Sequence, residues 1–453
     1  MGIKSDRFDI KLIKDTVIEK NPAAILCDDS FEIEAPTVTI VKAPDTRGLL
    51  PYIYYRINKI DGSKVKICAV TGTNGKTSTA YILQRILMER GNKVGFIGTG
   101  RIMIDNDILN NEYYSMTTPD PELLYFTLAQ MINAKCTYII MEVSSHALHF
   151  KKIAPLRFAV SLFTNLSEEH LDFHKNMEEY YSTKLKLFET SDAGIFNYDD
   201  PYSRRAKDET GIISFGVSLE KSADFSIKDL KEESTQIKFT LSEPAQEYSI
   251  DLKLVGKFNV YNAVMAIASA RMLGVSPEIC AKAVSKIERI DGRMEAIKDD
   301  ITVIIDYAHT PMAFENVLFS LNKAKNTEQN LITVFGCGGE RDKTKRPKMA
   351  YTAEKFSDHV IVTSDNSRNE KTDEIIKDII SGFTDESKYT VIKSREQAIE
   401  YAILNSNDED IIALLGKGHE RYNIVNNDYI PFDERRIVLS ALEKRRRQSD
   451  NKA

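Results

Sequence analysis

Chemistry is most concentrated in the run Thr71-Gly72-Thr73-Asn74-Gly75-Lys76-Thr77-Ser78. Glycines 72 and 75 let backbone N–H groups turn toward phosphate oxygens, and the positive end of a following helix adds to that field. Lys76 can reach the β- and γ-phosphates of a nucleotide, and Thr77 can offer its hydroxyl to Mg2+. An apolar run, Ile67–Val70, precedes the loop. Helical apolar spacing follows it at Ile82, Leu83, Ile86 and Leu87. The loop has two residues between its glycines where the familiar phosphate loop has four. A plain glycine turn before a helix would leave the Lys-Thr pair without a reason.

Further candidates follow the same strand-then-polar pattern. Glu142 stands near the end of the apolar run Tyr138–Val143. A lone carboxylate there is costly to bury unless it is paired or metal-bound, and it suits a magnesium ligand or a rim ion pair. His170 and His174, four apart, could share a helix face as a zinc pair, although neither a His-Glu-x-x-His pattern nor a nearby thiol supports that. In "YYSTKLKLFE", helical spacing puts Lys184 on a face with Tyr180, Tyr181, Leu187 and Phe188, and Lys186 on the other side. A buried lysine loses its proton, and a neutral amine can add CO2 to become an anionic carbamate. On spacing alone a snorkelling lysine is the simpler reading. The second half carries "DYAHTP", "GCGGERDKTKRP", "SDNSRNE" and "GKGHE". There Arg341 and Arg368 could grip a carboxylate or phosphate bidentately.

The elements that must position these residues are strands too apolar for a one-sided sheet: "TYIIMEV", "FAVSLF", "ITVIID", "LITVFG", "HVIVTS" and "IIALLG". Strands of this kind belong to parallel sheets covered on both faces, and each polar cluster then lies at a carboxyl edge, where α/β domains bind ligands. The expected class is α/β. Residues 1–64 form a small first domain with strands at Ala23–Cys27 and Val38–Val41 and a helix near Leu49–Ile57. Residues 65–295 form a central unit, and 296–453 a second α/β unit beyond a hinge in 285–300.

Composition narrows the class. In 453 residues, 42% hydrophobic and 28% charged, two or three soluble domains are expected. The net charge of −6 argues against general nucleic-acid binding, and the run Lys444–Arg447 reads as a solvated helix end. The opening "MGIKSDRFDIKLIKD" is charged throughout and does not read as a signal peptide. No stretch approaches a membrane span. The five cysteines are scattered without a Cys-x-x-Cys pair, which suggests a reduced cytoplasmic protein without structural zinc.

The motifs "TGTNGKTST", "TTPDPE", "MEVSSHAL", "FTNLSEEHLDFH", "KLKLF", "GKFNVYNA", "GRMEAI", "DYAHTP", "FGCGGERDKTKRPKM", "SDNSRNE" and "GKGHE" occur in the order seen in the Mur ligases, over roughly residues 65–440. The chain resembles most the branch that adds the third residue of the peptidoglycan stem peptide. The short Gly-x-x-Gly-Lys-Thr loop is that superfamily's form, which folylpolyglutamate synthase shares. The resemblance implies three domains, with a central P-loop ATPase-like parallel sheet and a C-terminal Rossmann-like domain. It implies an ATP- and Mg2+-dependent amide ligase acting through an acyl phosphate. Lys76, Glu142, His170 and Lys184 would be catalytic. Thr77, Glu142, His170 and a carbamylated Lys184 would hold metal. Asn262 would meet the adenine, and Arg293 and Asp306 the nucleotide after domain closure. Thr117, Thr118, Ser144 and Lys152 are the acyl-substrate candidates.

For the amino-acid pocket, the diaminopimelate-adding form matches at Arg341, Asn366, Arg368, Gly416 and Glu420, and the lysine-adding form usually lacks the arginine at 368. That favours meso-diaminopimelate, joined to a UDP-linked muramoyl dipeptide. Small-molecule partners and a monomer are expected, with no nucleic acid or membrane. Three departures stand out. Ser367 replaces a proline, Phe150 and Lys152 replace a Gln-x-Arg pair, and the N-terminal domain is short, without the family's Asp-Ser-Arg segment. They leave open a related ligase with another acyl substrate: a pseudomurein precursor, a specialised-metabolite peptide or a polyglutamate tail. A non-catalytic nucleotide-binding protein would be expected to lose Lys76, Glu142, His170 or Lys184, and all four are present.

Overall fold

The computed structural model describes residues 14–450, apart from 21, 30–31, 33–37, 110–115, 172, 233–235 and 427. Most of the charged opening stretch, and part of the 1–64 region, lie outside the described residues.

The strand that feeds the phosphate loop, Lys66–Thr71, sits inside an eleven-stranded sheet between Tyr138–Glu142 and Val160–Phe163. Its neighbours are parallel, from Val94–Gly98 at one side through Ala193–Asn197 and Ile213–Ser218 to Phe225–Glu232 at the other. Antiparallel strands close both edges. The strands beside the loop are buried on both faces, which is why their sequences run apolar without alternation. Helix Lys76–Glu89 covers one face. Ala80, Ile82, Leu83, Ile86 and Leu87 are buried, each Leu or Ile contributing about 1.5–3 kcal/mol. It packs on helix Lys257–Met272, whose many alanines allow close approach and bring Asn262 over the loop.

The second sheet has six strands, in the spatial order 295–298, 302–306, 411–415, 331–335, 359–362 and 389–391. All pairings are parallel except that of Glu295–Lys298 with Thr302–Asp306. Glu295–Lys298 already belongs to the second sheet, so the chain passes between the two sheets just before it, near Gly292 (φ +65°). Helices cover both faces, one set packing around Phe314 and Ile379 and the other around Ile399 and Val438. The polar turns after Asp306, Phe335, Val362 and Leu415 therefore share one edge and face the central sheet's own ligand edge.

Near the start, strands Ala24–Asp28 and Thr39–Ala43 pair in parallel. Helix Thr46–Ile57 docks on helix Pro121–Asn133, with Tyr55 edge-on to Tyr125. No helix among the described residues is long and apolar enough to cross a membrane.

Two expectations need correction. His170 and His174 do not share a helix face. His170 has φ +56°, the helix begins only at Met177, and His174 is turned into the core against Ser145 Oγ (3.1 Å). The Lys444–Arg447 run is not simply solvated either. Arg445 is buried, with Nη1 donating to the carbonyls of Ile403 and Ser406 and the guanidinium paired with Asp300 and Asp408. The end of helix Arg395–Asn405 leaves carbonyls that need donors, and Arg445 supplies them.

Candidate active site

The phosphate loop is built so that no side chain fills it. Gly72 has φ +140°, and a Cβ there would lie 1.9 Å from Thr164 Oγ1. The loop is pinned from the next strand. Thr73 N–H donates to the Asn165 carbonyl (2.8 Å), Asn74 N–H to Asn165 Oδ1 (2.9 Å), and Thr164 Oγ1 to the Asn74 carbonyl (2.6 Å). Gly75, at φ +84°, caps helix Lys76–Glu89 and lies against Asn262, whose Oδ1 accepts from Thr79 Oγ1 (3.2 Å).

Two lysines converge on one carbonyl. Lys76 Nζ donates to Gly72 O (3.0 Å) and Thr73 O (2.8 Å), and Lys184 Nζ donates to Gly72 O (2.9 Å). Lys184 is 1% exposed and lies over the Tyr180 ring. Burial, then the nearby Lys76 charge, pushes the Lys184 ammonium well below its ordinary range. Burial thus favours the neutral amine over the ammonium, and the geometry decides against a snorkelling lysine, since the head group as well as the stem is buried. Lys186, by contrast, is exposed, as the helical spacing predicts.

Glu142 is fully buried, yet its partners are neutral. Oε2 accepts from Thr77 Oγ1 (3.0 Å) and Thr99 Oγ1 (3.1 Å), and Oε1 from Thr99 N–H (3.0 Å). Among the described residues it forms no ion pair. A buried carboxylate held only by neutral donors beside a phosphate loop fits a hard cation. His170 faces the same space, and burial holds its imidazole below its ordinary pKa, leaving it neutral and able to ligate. No cluster of three or more His, Cys, Asp or Glu side chains able to hold a metal occurs among the described residues. A cation here would share its shell with phosphate oxygens, as magnesium does.

The second unit closes over this space. Arg293 Nη2 donates to Thr77 Oγ1 (3.0 Å), its guanidinium stacks on Tyr307, and its buried Nε has no hydrogen-bond partner among the described residues. Asp306 accepts from the N–H groups of Met294 (2.7 Å) and Ala308 (2.7 Å), so its carboxylate holds the turn before the second sheet as well as lining the cleft. His309 and Glu169 meet across the units at 3.1 Å. Burial and the Arg293 charge act on Asp306 in opposite directions, and burial dominates, raising its pKa.

The amino-acid candidates form the far wall. Asn366 Nδ2 donates to Glu420 Oε2 (2.8 Å), and its Oδ1 accepts from Lys417 Nζ (3.1 Å) and Ile424 N–H (2.9 Å). Arg368, at φ +52°, donates to the Gly339 carbonyl (2.8 Å). Ser367 removes a proline's stiffness, and backbone bonds compensate: Arg368 N–H to Ile424 O and Asn426 N–H to Arg368 O, both 2.9 Å. Gly416, at φ +112°, leaves room for Asp365.

One cleft of about 1230 Å³ collects these groups. Its walls include residues 72–78, Thr117, Glu142, Ser144, His170, Lys184, Asn262, Arg293, Asp306, Arg341, Asn366, Arg368, Gly416 and Glu420. Thr118 and Lys152 are not on its wall. Thr118 Oγ1 donates to the Glu142 carbonyl (2.9 Å) and accepts from Ser144 N–H, and Lys152 pairs with Asp120 (2.7 Å). Residues not singled out from the sequence also matter: Thr99, Glu169, Tyr307, His309, Lys417 and His419. Glu169, Tyr307, His309, Lys417 and His419 stood inside recognised motifs. Thr99 had no signal, because its backbone makes two of its four hydrogen bonds among the described residues and it stands in no recognised motif.

The Mur ligase middle domain matches residues 70–270, and the Mur ligase glutamate ligase domain matches residues 292–418. The UDP-N-acetylmuramoyl-L-alanyl-D-glutamate–2,6-diaminopimelate ligase 1 of Clostridium acetobutylicum is 38% identical over 448 residues, covering 98% of this chain and 91% of that protein. The likeness thus reaches beyond residues 65–440 into the N-terminal segment. A solved UDP-N-acetylmuramoyl-L-alanyl-D-glutamate–2,6-diaminopimelate ligase superposes with TM-score 0.63 at 28% identity, over 93% of this chain and 87% of that one. Mycobacterium tuberculosis folylpolyglutamate synthase shares the fold at TM-score 0.69 and 16% identity, over 82% of this chain and 92% of that one. A short-spaced phosphate loop, a buried lysine beside it and a second α/β unit closing over both thus have a common origin: the chain belongs to the Mur ligase family of ATP-dependent ligases.

Proposed function

We propose that the chain joins an amino group of meso-diaminopimelate to the D-glutamate carboxylate of UDP-N-acetylmuramoyl-L-alanyl-D-glutamate in the cytoplasm, as a monomer, in cell-wall precursor synthesis. The observation that carries this reading is the cleft itself. A phosphate loop and a pocket with Arg341, Arg368 and Glu420 face each other across one space. Arginines suit a distal carboxylate and the acid a distal ammonium, which together describe the far end of diaminopimelate. The 38% identical relative bears the corresponding name.

In this reading the loop amides and Lys76 hold the β- and γ-phosphates of ATP, with Asn262 beside the adenine. The substrate carboxylate attacks the γ-phosphorus, the bond to the β-phosphate oxygen breaks, and ADP leaves. Arg293, docked on Thr77, adds positive charge as the second unit closes and excludes water. The amino nitrogen, oriented by the far-end contacts, attacks the acyl phosphate. Phosphate departs after a tetrahedral intermediate, and the nitrogen loses a proton. Mg2+, bound through Thr77, Glu142, His170 and carbamylated Lys184, would neutralise phosphate charge.

Phosphate release from the UDP-linked dipeptide and ATP tests the reading, with meso-diaminopimelate, L-lysine or no amine supplied. Turnover with diaminopimelate alone supports it. Turnover with lysine refutes the roles given to Arg341 and Arg368. No turnover with any amine, from protein that still binds ATP, refutes the acyl substrate.

A further inference from the structure

His419 is the residue before Glu420, yet it points away from the amino-acid pocket. Its Nε2 lies 3.0 Å from the Thr99 carbonyl, in the central unit. A carbonyl only accepts, so Nε2 carries the proton. The imidazole fills a slot between Gly100 and an aromatic ring. A Cβ on Gly100 (φ +70°) would lie 3.0 Å from Nε2, and the backbone that carries His419 packs on Gly292 (φ +65°), where a Cβ would lie 2.2 Å from the His419 main-chain nitrogen. The Tyr307 ring is 5.2 Å away, centroid to centroid.

Thr99 is a junction. Its N–H and hydroxyl hold both oxygens of Glu142, its hydroxyl also lies 3.1 Å from Thr117 Oγ1, and its carbonyl accepts from His419. One residue thus touches the metal-site carboxylate, a wall residue proposed for the acyl substrate, and the amino-acid loop. We propose that His419 is a positioning residue that couples the amino-acid loop to Glu142 through Thr99, so that docking of the second unit and assembly of the metal site are one event. This rests on Glu142 serving the metal and Glu420 the amino acid.

Calorimetric titration of the full chain with a non-hydrolysable ATP analogue, across a range of Mg2+ concentrations, tests it. Loss of the imidazole leaves a buried carbonyl without its donor and frees the Thr99 peptide to shift. For His419→Ala, the Mg2+ concentration that half-maximally supports analogue binding should rise about tenfold. Gly100→Ala closes the slot and should act alike, and the double variant should be no worse than either, because both break one contact. His419→Gln presents an amide N–H at similar reach and should recover to within about threefold of wild type. An unchanged Mg2+ requirement in His419→Ala overturns the proposal. So does a His419→Gln that falls as far as alanine, since that marks a space-filling role. Wild-type protein that binds Mg2+ and the analogue normally but ignores diaminopimelate would sink the proposed substrate instead, and the two failures are separable.

Discussion

Glu370→Gln should loosen the pair of loops that carry Arg341 and Arg368. Arg346 lies beneath them with no exposed side-chain surface and grips Glu370 with both terminal nitrogens (2.7 and 2.8 Å). The same carboxylate accepts from the Glu340 N–H (3.1 Å), next to Arg341, and pairs with Lys343 (3.0 Å). Hydrogen bonding from Arg346, ahead of the opposing effect of burial, holds the Glu370 carboxyl at about 2 against an ordinary 4.5. At about 1.4 kcal/mol per tenfold change in proton affinity, that difference corresponds to about 3 kcal/mol. Solvent at the loop edge screens part of it, so about 2 kcal/mol is expected for the neutral amide. The stabilisation is complete above pH 4.5 and is lost as pH falls toward 2, because in that window the unfolded chain takes up the proton first and is favoured by it, while well above both pKa values neither state binds it. Urea unfolding of wild type and variant, followed by circular dichroism and fitted for the second unit's own transition, should show a gap of about 2 kcal/mol at pH 7. The gap should narrow between pH 5 and pH 3. The diaminopimelate KM should rise while the ATP KM stays put. A gap below about 0.5 kcal/mol at pH 7, or one that does not change between pH 5 and pH 3, would refute the reasoning.

Lys76→Met should lower phosphate transfer by about 10²–10³-fold, and an equal loss in ATP-analogue affinity would show that the lysine serves binding alone. Arg341→Met and Arg368→Met should each raise the diaminopimelate KM about tenfold and leave the ATP KM unchanged, as paired steady-state assays would show. Chelation should abolish turnover and added Mg2+ restore it, measured by phosphate release. With 13C-labelled bicarbonate, wild type should show a carbamate carbon resonance that Lys184→Met lacks, and its absence from wild type would refute carbamylation.

Much of the fold was legible because the strands are buried on both faces. Runs such as "YIIME" and "IIALL", short, rich in Ile and followed at once by polar turns, favour buried strands over helices, and a polar cluster straight after each strand falls at the carboxyl edge. The buried side of Lys184 followed from helical spacing for the same reason. Spacing failed at His170 and His174, because four residues apart also describes an irregular turn with a left-handed residue in it. It failed at Arg445, because charge density says nothing about which carbonyls a neighbouring helix end leaves unsatisfied. The contacts of Thr118 and Lys152 were not legible either. Their polar groups are engaged in holding the strand end and in pairing with Asp120, partners that only the three-dimensional arrangement supplies.

Thr99 shows where sequence reasoning stops in principle. A motif reports side chains, and the chemistry of Lys76, Glu142 or Arg368 can be argued from residue type. Thr99 bonds to Glu142 partly through its N–H and to His419 through its carbonyl, groups that every residue but proline carries. What distinguishes it is its position, one residue beyond strand Val94–Gly98 and before a glycine that keeps the His419 slot open. Candidate sites on segments as far apart in sequence as Thr99 and His419 need a common reference point. Here one residue supplies it with its backbone and its hydroxyl together, so substitutions at Gly100 and substitutions of the Thr99 side chain both bear on how Glu142 is held.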